Sequence, residues 1–190
     1  MHNEIVLVLG RKGSGKSSLV KNVLIKERDR LIIVDSLSEY NDFLVIEDFE
    51  SLVEYCSENK TFQIACQFTS KIDIEYLFEY IFIEGNLTVC CEEISKYISS
   101  YERDTSFTKL IDFGRHKNID IIAIARRPSE LSRTFRAQID TLYTFKQIDK
   151  VDIDIMAQMG VYGVESLEMF DYDKFKGIPK ESIHFKISQF

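Results

Sequence analysis

Two prolines and eight glycines are few for 190 residues. With no low-complexity tract and no internal repeat, the chain is expected to hold neither a linker nor a disordered tail. Cysteine is scarce as well: there are four, with Cys90 and Cys91 adjacent in an apolar run. Their spacings fit neither a zinc knuckle nor a disulfide framework, so they are expected as reduced core residues. No apolar run approaches the ~18 residues that span a bilayer. Met1–Leu9 is a short strand-like stretch with an acid inside it, unlike a signal peptide. The expectation is a soluble chain without a membrane span, working in the cytoplasm. Its content is 45% apolar and 29% charged, which suits one substantial core and is short for two, so residues 1–190 are read as a single domain.

Charge is unevenly placed. The net value of −7 argues against a protein coated all over in nucleic acid. Lys and Arg outnumber Asp and Glu by 7 to 3 in residues 1–30 and again by 7 to 3 in 109–136, whereas residues 31–108 carry 4 against 16. Basic charge therefore gathers in two segments, either as solvated surface or as part of a phosphate-binding site.

The hydrophobic pattern reads as strands alternating with helices. Glu4–Leu9 is a strand-length apolar run, and Lys16–Lys26 follows helical spacing through Leu19, Val20, Val23 and Leu24. Leu31–Val34, Phe62–Cys66, Leu87–Cys91, Ile119–Ala125 and Ile139–Phe145 are further strand-like runs. Helices are expected near Phe49–Ser57, Ile72–Ile83 and Phe107–Lys117, with a helix-compatible stretch from Pro128. Leu167–Tyr172 and Ser182–Ile187 read as a terminal hairpin around Lys174–Lys180. Strands apolar along their whole length call for cover on both faces, so the fold class is α/β: a mostly parallel sheet with helices on both sides.

Gly10-Arg11-Lys12-Gly13-Ser14-Gly15-Lys16-Ser17 matches G-x-x-x-x-G-K-[ST] at every fixed position and lies between a strand and a helix. Glycines let the backbone curl so that its N–H groups face a β-phosphate, and the helix N-terminus adds its positive dipole. Lys16 is expected to bridge the β- and γ-phosphates of ATP. Ser17 offers a hydroxyl to Mg²⁺, and Ser18 extends the nucleotide-binding set.

Leu87–Cys91 ends in two carboxylates, Glu92 and Glu93, at the strand end where ligands collect in parallel sheets. This is the Walker B layout. Glu92 is expected to hold Mg²⁺ directly or through water, its longer side chain standing where aspartate is usual. Glu93 is expected to orient, or take the proton of, the water that attacks the γ-phosphate. Successive residues leaving a strand point in different directions, so the two acids can divide these tasks. The extra strand in 59–70 fits the additional-strand class of P-loop ATPases, which places Ile119–Ala125 between the Walker A and Walker B strands.

The segment GRHKNIDIIAIARRPSEL, from Gly114 to Leu131, resembles the stretch of the FtsK–HerA superfamily in which an R-H pair precedes a strand that ends in a polar sensor and then R-P. EEISKYIS, from Glu92, is similar to the same superfamily's continuation after Walker B. Within that superfamily the chain most resembles the small genome-packaging ATPases of tailless icosahedral viruses with internal membranes, over about residues 4–187. The resemblance implies ATP- and Mg²⁺-dependent movement of double-stranded DNA into a capsid. It also implies a homo-oligomeric ring, a hexamer, working in the host cytoplasm, associated with the virion and facing a capsid vertex protein. Basic side chains lining a pore would reconcile a negative net charge with a DNA partner. The family's sensor glutamine falls on Arg126 here, which leaves that arginine open to contact with the γ-phosphate in cis or to service of a neighbouring subunit. Among Arg115, Arg126, Arg127, Arg133 and Arg136, at least one is expected to act in trans as an arginine finger. His116 is read as a helix C-terminal residue facing the dipole.

Other readings have weaker support. A HerA-like translocase in host DNA processing or defence usually carries further domains. A kinase needs a lid and an acceptor-binding segment, and a switch GTPase needs N-K-x-D, which Asn118-Ile119-Asp120 is not. A nucleotide-binding protein without turnover would keep its properties when Glu93 is changed. The phosphate-loop assignment predicts that Lys16→Ala abolishes tight ATP binding in calorimetry, because it removes the cation that the loop itself fixes against the phosphates; unchanged affinity would sink the assignment.

Overall fold

The computed structural model describes residues 4–98, 105–167 and 184–185. The chain enters through β1 (Ile5–Leu9), passes the glycine-rich loop and forms α1 (Lys16–Leu19), which widens into a π-helical turn over Val20–Leu24. There follow β2 (Arg30–Val34), β3 (Leu44–Ile46), α2 (Phe49–Glu58), β4 (Phe62–Cys66), α3 (Lys71–Glu84) and β5 (Leu87–Cys91). After a 3₁₀ turn at Ile94–Lys96 come α4 (Ser106–Phe113), a second 3₁₀ turn at Gly114–Lys117 and β6 (Ile119–Ala125). The remaining elements are a 3₁₀ turn at Pro128–Glu130, α5 (Arg133–Arg136), β7 (Thr141–Thr144), α6 (Lys150–Gln158) and β8 (His184–Phe185).

The eight strands among the described residues join one sheet in the order β3-β4-β2-β5-β6-β1-β7-β8. The ladders from β1 to β7 are parallel and β8 alone is antiparallel. β6 pairs with β1 on one side, Leu7 opposite Ala123, and with β5 on the other, Val89 opposite Ile121. The additional-strand arrangement expected from the sequence is thus observed, with the Walker A strand flanked by β6 and β7.

The alternation of side chains along each strand divides the core into two layers. Leu7 and Leu9 pack with Ile32, Val89, Leu77, Phe78, Leu110, Phe135 and Met156, so α2 to α6 cover one face. Val6 and Val8 pack with Ile33, Ile124, Leu19, Val20, Ile25 and Tyr40, so the other face is covered by α1 and the loop after β2. Helices α2 to α6 start where Ser, Thr or Asp can accept a backbone N–H: Asp48 from Ser51, Ser70 from Ile72, Thr105 from Thr108, Ser132 from Phe135 and Asp149 from Val151. Cys56, Cys66, Cys90 and Cys91 are free and buried, as expected. Burial raises the thiols of Cys90 and Cys91 well above their ordinary range, which keeps them unreactive. No helix among the described residues is long and apolar enough to cross a membrane.

Three elements depart from the sequence pattern. β3 has three residues at the edge of the sheet, too few to register as a period. α6 contains Val151, Ile153 and Ile155 alternating with acids, a strand-like spacing, yet it is helical because Asp149 caps it and its inward residues are Asp152 and Met156. The helix expected over Phe107–Lys117 stays α-helical only to Phe113, then tightens to 3₁₀ and turns at Asn118, φ 54°, to enter β6. The terminal hairpin falls largely outside the described residues. Of its second arm, His184 and Phe185 are seen pairing with Tyr143 and Leu142 of β7.

Phe78 has 0% exposure, and its ring meets Phe107 at 4.8 Å and Tyr97 at 5.3 Å. Phe78→Ala is predicted to cost about 3–5 kcal/mol, read as a lower urea midpoint with an unchanged slope.

Candidate nucleotide-binding site

The site sits at the carboxyl ends of β1, β2, β5 and β6, where residues 12–18 together with Leu37, Glu39, Glu92, Glu93 and Arg126 line a cleft of about 580 Å³. Gly10 leaves β1 with its N–H still on the β6 ladder, donating to Ala125 O at 3.2 Å. A Cβ there would stand 2.5 Å from Ser14 Oγ and 2.9 Å from Phe145, so only glycine allows the loop to fold back so tightly. Gly15 precedes α1 at φ 100°, a left-handed conformation that a side chain would strain. Ser14 Oγ is buried without a hydrogen-bond partner. A buried hydroxyl in that state costs about 1–3 kcal/mol, and a phosphate oxygen held in the loop is an acceptor that would satisfy it. The loop fits a phosphate on this ground as well as on its sequence.

Lys16 Nζ donates to Arg11 O at 3.1 Å. Burial lowers its pKa, against the opposing pull of Glu92 and Glu93. Arg11 and Gly10 shape the loop but are not part of the cleft lining. Ser17 Oγ donates to Glu39 Oε2 at 2.7 Å.

The two acids after β5 part company as expected. Glu92 N–H prolongs the sheet by donating to Val34 O at 3.1 Å, and its side chain turns inward, 2% exposed, where Oε1 accepts the Tyr40 hydroxyl at 2.7 Å. Burial raises its pKa to about 7, with the Tyr40 hydrogen bond acting in the opposite sense. Glu93 takes the left-handed conformation, φ 51° and ψ 51°. Such a backbone is costly for a residue with a Cβ and collects at functional sites. Its Oε1 accepts Arg126 Nε at 2.7 Å. β6 delivers Arg126 because it lies between the two Walker strands.

The other arginines are placed differently. Arg127 turns away from the cleft, with Nε on Asp152 Oδ2 at 2.7 Å and Nη2 on Asp149 Oδ2 at 3.1 Å, and it fastens the end of β6 to α6. Arg136 holds the turn at Pro128–Leu131 by donating to Pro128 O at 2.9 Å and also to Leu131 O. Arg133 and Arg136 line a separate cavity of about 610 Å³ with Ile139, Ile155 and Met159. Arg115 precedes β6 and lines a cavity at the amino ends of the strands with Asp112, Gln138 and Asp140. The length of β6, roughly 20 Å at about 3.3 Å per residue, separates Arg115 from its own phosphate loop. Arg115, Arg127, Arg133 and Arg136 are therefore not gathered with Lys16, whereas Arg126 is.

The loop after β2 supplies side chains at and beside the cleft that the pattern of the sequence did not single out. Asp35, 1% exposed, accepts the N–H groups of Glu39 and Tyr40, each at 3.0 Å, and Gln67 Nε2 at 2.9 Å. Lys21 Nζ donates to Glu39 O at 2.6 Å and lies 5.0 Å from the centre of the Tyr40 ring. The available signal was Asp35 itself, an acid at the carboxyl end of a central parallel strand. Among the described residues no cluster of three or more His, Cys, Asp or Glu could hold a metal by itself. Mg²⁺ is bound through one or two protein oxygens, several waters and the substrate's phosphates, and the Ser17 hydroxyl and Glu92 carboxyl at the cleft are oxygen donors of that kind.

Strand order and site together define an α/β P-loop NTPase fold with an additional strand between its Walker strands. The same fold occurs in the genome packaging NTPase B204 from Sulfolobus turreted icosahedral virus 2, solved with ATP-gammaS: 20% identity, 90% of each chain covered, TM-score 0.73. It occurs too in B204, the DNA-packaging ATPase from Sulfolobus turreted icosahedral virus, at 18% identity over 88% of this chain and 89% of that one, TM-score 0.67. The N-terminal domain of zonular occludens toxin from Neisseria meningitidis is similar at 18% identity over 83% and 91%, TM-score 0.53. No family model and no curated protein sequence matches the chain. At such identities the likeness establishes the fold, which is that of the packaging ATPases that the sequence resembles.

Because burial raises the Glu92 pKa from 4.5 to about 7, the folded chain holds a proton that the unfolded chain has already lost between those values. The stabilisation from this proton is complete below pH 4.5 and is lost as pH rises through about 7. We expect the nucleotide-free protein to lose stability over that interval by up to about 3 kcal/mol from this group. Urea titrations of Glu92→Gln should lack that component of the slope.

Proposed function

We propose that this chain is a Mg²⁺-dependent ATPase whose hydrolysis drives double-stranded DNA into a viral capsid, as a single P-loop domain working in a homo-oligomeric ring, a hexamer. The observation that carries the proposal is the convergence of Lys16, Ser17, Glu92, Glu93 and Arg126 on one cleft. The shared fold with viral genome-packaging NTPases supports the DNA-translocating part of the reading, and a capsid vertex protein is the natural partner of such a ring.

Residues 12–18 cradle the phosphates, and Lys16 neutralises the β- and γ-oxygens. Ser17 and Glu92 would hold Mg²⁺, which would supply charge neutralisation at the phosphates. Glu93 turns a water toward the γ-phosphorus. As the water oxygen bonds to phosphorus, the bond to the bridging oxygen of ADP breaks, and Glu93 takes the water proton. Before that, Arg126 holds the Glu93 carboxylate. A γ-phosphate is a stronger attraction for the guanidinium, so Arg126 passes to the phosphate and leaves Glu93 free for water. Arg115, too distant for its own cleft, belongs to a neighbour's site, where a cation arriving on assembly would stabilise the spread charge of the transition state.

Glu93→Gln is expected to retain ATP and stall before hydrolysis; turnover at the parent rate would move the base elsewhere. Mixing excess Glu93→Gln subunits with Arg115→Ala or Arg126→Ala subunits separates the arginines. Arg115→Ala subunits should regain ATPase activity beside arginine-bearing neighbours, and Arg126→Ala subunits should not. Activity that persists unchanged down to the monomer, without rescue in either mixture, would remove the trans contribution.

A further inference from the structure

A serine hydroxyl has one proton and two lone pairs, so it can offer oxygen to a cation only while its proton points at some other acceptor. In the usual P-loop arrangement the carboxylate at the end of the Walker B strand shares the metal with the loop hydroxyl. Here that carboxylate, Glu92, is buried and accepts the Tyr40 hydroxyl at 2.7 Å. The proton of Ser17 goes instead to Glu39, at 2.7 Å.

We infer that Glu39 is the positioning residue that takes the Ser17 proton and so turns the Ser17 oxygen toward Mg²⁺. The inference rests on the nucleotide-site reading above and adds to it a residue from outside both Walker motifs. Glu39 is exposed, and an exposed glutamate ordinarily has little fixed direction. Its backbone, however, is held on both sides. The N–H donates to buried Asp35 Oδ1 at 3.0 Å, and the carbonyl accepts Lys21 Nζ at 2.6 Å. The next residue, Tyr40, is 0% exposed and donates its own N–H to Asp35 Oδ2 at 3.0 Å. Ser38 before it takes the left-handed conformation at φ 55°, a sharp backbone turn immediately ahead of Glu39. A carboxylate carried on so constrained a turn reaches Ser17 with little ordering left to pay for. Lys21, which fixes this turn, stands five residues after Lys16, so the phosphate-loop helix itself holds Glu39 in place.

The test uses calorimetry of ATPγS binding to the full chain, with Mg²⁺ and with EDTA. Glu39→Ala should lose about tenfold or more of the affinity that Mg²⁺ adds, while affinity in EDTA does not fall below the parent value, since removing a carboxylate beside Lys16 takes no attraction from the phosphates. In a Ser17→Ala background, Glu39→Ala should have no further effect, because the pair acts through one hydroxyl. Glu39→Gln, which keeps an acceptor oxygen at the same reach, should recover part of the loss. The inference is overturned if Glu39→Ala keeps the full Mg²⁺ increment, if the losses of the two single variants simply multiply in the double variant, or if Gln and Ala lose equally, which would reduce Glu39 to a bare charge. Failure of the parent chain to bind ATPγS with or without Mg²⁺ is a separate result that removes the nucleotide reading itself. Equal urea midpoints across the variants establish that folding is not what changes.

Discussion

The parallel pairing of β6 with both β1 and β5 is the constraint on which the rest of the site depends. A parallel ladder fixes its strands in register and brings their carboxyl ends to one edge of the sheet. With β6 in the middle, the phosphate loop and the acidic pair stand one strand apart, and the residue that follows β6 has to emerge between them. Arg126 occupies that position and meets Glu93. The width of one strand thus makes room for a nucleotide between Lys16 and Glu93.

Around that gap four of the charged and hydroxyl groups already have a partner within the chain. Lys16 rests on Arg11 O, Ser17 on Glu39, Glu92 on Tyr40 and Glu93 on Arg126. At these four groups an entering nucleotide would exchange hydrogen bonds, whereas at the Ser14 hydroxyl it would fill an empty one. Exchange of this kind lowers the net gain per contact but leaves a site that is ordered beforehand.

The strands were legible because they are apolar along their length. Phe62–Cys66, Leu87–Cys91 and Ile119–Ala125 stand where the sequence put them, and the Walker motifs fixed the carboxyl edge. α6 was not legible: its buried acid, Asp152, pairs with an arginine 25 residues earlier, and burial by ion pairing leaves no hydrophobic trace. The same applies to the turn at 35–42. Its shape comes from local hydrogen bonds to Asp35 and from Lys21 and Glu92, distant along the chain, and none of these contacts carries a hydrophobic spacing. The arginines after β6 were visible as a group, but their division between the cleft and the scaffold depends on which acids α6 and β5 present.

That division falls between neighbours. Arg126 grips Glu93 inside the cleft, and Arg127 grips Asp149 and Asp152 on α6. The chemistry and an outer helix are consequently joined by a single rigid peptide unit, with one guanidinium rooted at each end. Between Glu93 and α6 the covalent path is therefore short, two arginine side chains and the peptide unit they share.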